Sequence, residues 1–156
     1  MVAFLNILFL LSLAISVGAI IFFSFFTTPT IFREAPVALA RELVGKMFPS
    51  YYLLGYATQF LALVALTLRG LLEKPFPWVR ILMILLMLGC TLYAGLVILP
   101  KAHTAKTVLK TLEPGPEQDA QQAEFDRLHR LSVVLNGTVL IAGIVALGIT
   151  AVKMNP

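Results

Sequence analysis

The stretch covering residues 125–152, FDRLHRLSVVLNGTVLIAGIVALGITAV, most constrains what this chain can fold into. It opens charged and ends as an unbroken apolar run. Taken as one helix, it sets Phe125, His129, Ser132, Asn136 and Gly143 on a single stripe, at steps of three, four and seven residues. A polar stripe is thereby carried from a water edge into a segment long enough to cross a bilayer. An amide in hydrocarbon needs a hydrogen-bond partner within the protein. This span therefore has to be enclosed by others.

Three further segments can enclose it. Residues 3–26 carry no charged side chain and reach about 36 Å as a helix at ~1.5 Å per residue. No Lys or Arg precedes this run, and it exceeds the roughly 7–15 apolar residues of a signal core, so we read it as a retained span. Residues 51–68 form a second span, opened by Tyr51, Tyr52 and Tyr56 as an interfacial aromatic belt. Residues 79–99 form the third, and residues 131–152 the fourth. Thr27, Thr28 and Pro29 are expected to break the first span. Beyond them, residues 36–48 read as a short amphipathic helix at the interface, ended by Pro49. Pro100 is expected to bend the chain rather than stop it. Residues 100–130 make the polar loop, with an acidic centre and basic flanks.

Composition supports the same class. The chain is 59% apolar and 13% charged, against roughly 45–50% and 25% for soluble domains. The expected fold is all-α: an integral membrane four-helix bundle with one additional amphipathic helix, in a single domain. The excess of Lys and Arg is placed beside hydrophobic spans, where it sets topology and meets lipid head groups, so no nucleic acid partner is expected. Residues Arg33, Arg41, Lys46, Lys101, Lys106, Lys110, Arg127 and Arg130 share one side; Arg69, Lys74, Arg80 and Lys153 share the other. The positive-inside rule then puts the 100–130 loop in the cytoplasm, within a bacterial inner membrane. Cys90 is the single cysteine and lies in an apolar run, where it reads as a small packing residue.

Few residues carry chemistry. There is no nucleophile–base motif, no glycine-rich phosphate loop and no paired intramembrane carboxylate, so no catalytic residue is assigned. His103 and His129 are the two histidines, at the ends of spans three and four. Facing each other, they would be candidate ligands for a haem iron or copper; as interfacial polar residues they would simply meet the loop or lipid. Gln59 and Asn136 lie deeper, with Tyr52, Tyr56 and Tyr93 as candidate companions. These side chains either tie helices together or line a pocket for a quinone head group. Thr138, Ala142, Ala146 and Thr150 recur every four residues and form a seam that lets a second helix approach closely.

The order of TTPTIF after the first span, MFPSYY before the second, Pro100 at the end of the third, and His129, Ser132 and Asn136 opening the fourth resembles the transmembrane-protein-205-like family of four-helix membrane proteins. In that resemblance Pro29, Phe32, Pro100 and Ser132 are the motif positions. It also implies a distant similarity to small membrane proteins of copper handling and haem metabolism. The family is a domain of unknown function, so the resemblance speaks to fold first. Two functions stand: a non-catalytic structural or accessory subunit of a membrane complex or homo-oligomer, and a haem-, copper- or quinone-binding redox protein using His103 and His129.

Overall fold

The computed structural model describes residues 1–154, with side chains described up to Val152. Among the described residues there are four helices long and apolar enough to cross a membrane: α1, Val2–Glu34; α2, Val37–Leu72; α3, Trp78–Leu109; and α4, beginning at Pro116 and running to Met154. Each packs against its neighbours in sequence, and α1 closes the ring against α4. The result is an up-and-down four-helix bundle.

The burial pattern follows from helical periodicity. On α1, Leu5, Phe9, Leu13 and Val17 recur every four residues and point inward, while Phe4, Ile7, Leu11 and Ile15 point out. Phe9, Leu13 and Val17 of this set join Ala62, Ala65 and Leu66 of α2, Ile84 and Met87 of α3, and Val139, Ala142 and Ala146 of α4 in one core. The outward apolar surface is what a bilayer, not water, would cover. A second, smaller core of Ile98, Ala105 and Leu128 holds α3 to α4 near their connected ends.

Small residues set the closest approaches. A Cβ at Gly143 would lie 2.5 Å from Val17 Cγ2, and one at Gly95 would overlap the Tyr56 hydroxyl. The α4 seam behaves likewise: Ala142, Ala146 and Thr150 are buried inside this bundle, so they serve its own packing.

Pro29 and Pro49 act differently from what their positions suggest, and Pro100, as expected, does not stop its helix. The first span does not break at Pro29. Residues Phe22–Thr27 form a π-turn, and the helix continues through Thr28–Glu34. Immediately before Pro29, the Thr28 N–H reaches back five residues to the Phe23 carbonyl. At Pro100 the device repeats: Ala94–Ile98 is a π-turn, and the Leu99 N–H reaches the Ala94 carbonyl. A proline ring clashes with the carbonyl four residues back and leaves it without a donor. One extra residue in the preceding turn moves that carbonyl aside while keeping the backbone bonded. Pro49 does not end a separate helix either; it sits inside α2, so residues 36–48 are the first turns of the second spanning helix. The expected polar loop at 100–130 is likewise mostly helix. The third helix runs on to Leu109 and α4 begins at Pro116, so its acidic residues from Glu117 onward lie in the early turns of α4, and only Glu113 stays in the connection.

Candidate functional site

At the wet end of α1, the π-turn pushes a bulge of side chains toward α4. Phe23, Ser24, Phe25 and Thr28 from this bulge face His129, Ser132, Val133, Asn136 and Gly137 from α4 across a cleft of about 390 Å³, with Tyr51 and Phe48 of α2 lining it. Phe25 and Val133 are exposed, so the cleft opens sideways on the outer, apolar face of the bundle. Its volume falls within the roughly 300–1,000 Å³ of small-molecule pockets.

The polar wall is a short hydrogen-bond chain. Tyr51 donates to Asn136 Oδ1 at 3.0 Å. The Asn136 amide reaches the Tyr52 hydroxyl at 3.5 Å, and Tyr52 pairs with Ser132 Oγ at 3.2 Å. The chain links α2 to α4 across the diagonal of the bundle and satisfies an amide at membrane depth. Aromatic rings buttress it: Phe23 stacks on Tyr51 with ring centres 4.8 Å apart, and Phe48 stacks on Tyr52 at 6.0 Å. His129 stacks on Phe125, one turn back along α4, at 6.5 Å and stands exposed at the rim.

Deeper in, Gln59 is 1% exposed and donates to Ser16 Oγ of α1 at 3.1 Å. Its Oε1 is sealed from solvent without a partner. Beside it is a cavity of about 10 Å³ lined by Ser16, Tyr51, Gly55, Gln59 and Thr91. That is room for about one water, which would complete the amide. Tyr51 lines both this cavity and the cleft.

The stripe of His129, Ser132 and Asn136 read from the sequence does converge on one site. Gln59 forms a separate pair rather than answering Asn136. Tyr52 is buried and part of the wall; Tyr56 lies over Gly95, between α2 and α3. Tyr93 is 47% exposed and faces outward, so it does not belong to the interior. His103 is exposed on α3 and does not line the cleft. Among the described residues, no group of three or more His, Cys, Asp and Glu stands close enough to hold a metal ion. Phe32 is exposed beyond the π-turn.

The residue that sequence reasoning passed over is Tyr51. Tyr51, Tyr52 and Tyr56 all read as an interfacial belt, and only Tyr52 and Tyr56 of the three read also as candidates for the interior. The signal lay in Ser24 and Thr28, small polar residues within a phenylalanine-rich run just before Pro29.

Charges at the polar rim are paired locally. Arg127 grips Glu124 through two hydrogen bonds of 2.8 and 2.9 Å. The arginine's hydrogen bonds hold the Glu124 carboxyl below the usual range, and Glu124 in turn raises Arg127. Nearby, Lys106 donates to the Arg41 carbonyl at 3.0 Å, fastening α3 to α2.

The fold and the lateral cleft define a class: small helical integral membrane proteins with a side pocket at the edge of the bilayer. Residues 11–111 match the family described as a domain of unknown function (DUF4149), and the chain belongs to that family. No curated protein and no solved structure matches it. The match lends no support to the transmembrane-protein-205-like resemblance or to a copper or haem link. It ends before α4, so the His129–Asn136 wall lies outside the matched residues.

Proposed function

We propose that this protein is a non-catalytic accessory membrane protein that seats the ring head group of a lipid-soluble quinone in the α1–α4 cleft. The observation that carries this reading is the cleft itself. It combines flat aromatic walls (Phe23, Phe48, Tyr51) with hydroxyl and imidazole groups (Ser24, Thr28, Ser132, His129) at its edges, and it opens sideways to lipid. A quinone ring offers a flat face and two carbonyl acceptors, and its prenyl tail suits the exposed Phe25 and Val133. Of the two histidines, His129 alone lines the cleft, which favours a hydrogen-bonding role over paired axial ligation of haem.

The test is organic extraction of the detergent-purified protein, with quinone read by absorbance and mass spectrometry, followed by titration with a short-chain quinone. Saturable binding that falls at least about tenfold in Ser132→Leu plus His129→Ala, a loss of roughly 1.4 kcal/mol, is the expected result. A Soret band in the purified protein, or equal binding by wild type and double variant, would overturn the proposal.

A further inference from the structure

The opposite end of the bundle carries an arginine that the fold gives no partner. Arg80 lies in the first turn of α3 and is 6% exposed. Among the described residues it makes no ion pair, and no hydrogen bond from its side chain is formed. The one carboxylate in the connecting turn, Glu73, sits 3.7 Å from Arg69 instead. Arg69 brings a second cation to this end of the bundle: it lies in the last turn of α2, next to Gly70, which packs against Pro77 at the start of α3. A buried charge without a counter-charge is costly, and a like charge beside it adds to that cost.

The surroundings are built rather than accidental. Gly70 allows the turn to fold tightly over the end of α2: a Cβ there would stand 2.6 Å from Pro77 Cδ and 2.8 Å from Phe76 Cδ2. The Arg80 guanidinium keeps an outward edge, because Gln59 Oε1 alone among the described buried side-chain atoms is both sealed and unpaired. The first turn of α3 has Pro77 at its cap and no side-chain cap; the Trp78 N–H turns back to the Phe76 carbonyl, which leaves the N–H groups of Val79 and Arg80 free among the described residues. Trp78, 72% exposed, is a ring of the kind that settles at head-group depth.

We propose that Arg80, Arg69 and the uncapped start of α3 form a binding site for a phosphate group, supplied by the head group of an anionic phospholipid. A phosphodiester supplies the missing counter-charge, and its oxygens match the planar donors of arginine. The site is separate from the quinone cleft and does not depend on it.

Thermal unfolding of the detergent-purified full chain tests this. The additions are phosphatidylglycerol, phosphatidylcholine or inorganic phosphate, for wild type, Arg80→Gln, Arg80→Lys and Arg69→Gln. Phosphatidylglycerol should raise the wild-type midpoint well above phosphatidylcholine. That difference should at least halve in Arg80→Gln and in Arg69→Gln, and partly return in Arg80→Lys. If Arg80→Gln does not fold, Arg69→Gln carries the comparison. An equal response to both lipids in wild type, or an undiminished phosphatidylglycerol shift in the glutamine variants, overturns the site. Inorganic phosphate acting as strongly as phosphatidylglycerol, with the same loss in the variants, assigns the same residues to a water-borne phosphate.

Discussion

Replacing Asn136 by Leu tests the polar wall most directly. Leucine has similar bulk and suits a bilayer-facing helix, so the change isolates the amide. It removes the acceptor of the 3.0 Å bond from Tyr51 and the weaker 3.5 Å contact to Tyr52. Hydrogen bonds between membrane helices measure about 0.6 kcal/mol on average and about 1.7 at most. A hydroxyl left unpaired in a half-buried site costs roughly 1–3 kcal/mol. Burial of the leucine side chain returns part of this. We expect a net loss of about 1–2 kcal/mol for Asn136→Leu. His129→Ala should lie within about 0.5 kcal/mol of wild type, because His129 is exposed at the rim.

The pairing with Tyr51 is separable by a double-mutant cycle. Tyr51→Phe keeps the ring that stacks on Phe23 and loses only the hydroxyl. If the bond couples the two residues, the double variant should be more stable than the sum of the singles by about 0.6–1.7 kcal/mol. The assay is reversible unfolding in mixed detergent micelles, followed by circular dichroism. Strict additivity within about 0.3 kcal/mol, or a larger loss for His129→Ala than for Asn136→Leu, would refute the reasoning.

Other outcomes follow from the same geometry. Gly95→Ala should destabilise by about 1–3 kcal/mol, since its methyl would strike the Tyr56 hydroxyl and the Tyr52 ring; Gly18→Ala, with open space around it, should be neutral or stabilising in the same melt. A cysteine at Gln118, on a Cys90→Ala background, should resist impermeant labelling in intact cells if the α3–α4 turn is cytoplasmic, and rapid labelling would reverse the orientation. Glu124 has a depressed carboxyl, so its pairing with Arg127 stabilises above the ordinary value of 4.5 and is lost as pH falls through the lower folded value; Glu124→Gln should therefore lower the melting point slightly at pH 7, and that difference should shrink as the solution is acidified through the folded value. Pro29→Ala should let the π-turn revert toward a regular helix, measured as weaker binding of a short-chain quinone with the helix content retained.

Much of the fold was legible because hydrocarbon imposes it. Four apolar runs of spanning length admit few arrangements, and the four-residue spacing on α1 already separates Leu5, Phe9 and Leu13 from Phe4, Ile7 and Leu11. The α4 stripe was legible for the same reason: Asn136 at that depth had to face protein. Helix ends were harder to place. Pro29 and Pro49 read as stops, yet both lie within continuous helices, as does Pro100, which read as a bend rather than a stop. A soluble helix exposes freed carbonyls to water and can end there, whereas ending in lipid would expose several unmet groups at once. The acidic run from Glu117 to Glu124 reads as loop because it is polar and follows Pro114, Gly115 and Pro116. Its residues are good helix formers, and acidic groups suit the first turn of α4. Orientation stays a matter of charge counting, and Lys153, one of the residues counted, has its side chain outside the described residues.

Tyr52 was legible as a companion of Asn136, but the shorter bond, from Tyr51, was not, and the reason lies in the prolines. A regular α1 would carry Phe23, Ser24, Phe25 and Thr28 around the helix in ordinary register, each about 100° from the last. The π-turn adds a residue to that stretch and shifts the faces that follow it. All of the α1 cleft residues except Ile20 lie in this turn or at its immediate end. The widened turn also brings Phe23 against Tyr51, and that stack directs the Tyr51 hydroxyl toward α4 rather than toward the interface. Pro29 thus acts at a distance. By forbidding one backbone hydrogen bond it forces an irregular turn, the turn sets the aromatic stack, and the stack positions the donor that meets Asn136. The cleft exists because a residue that normally ends helices is held inside one.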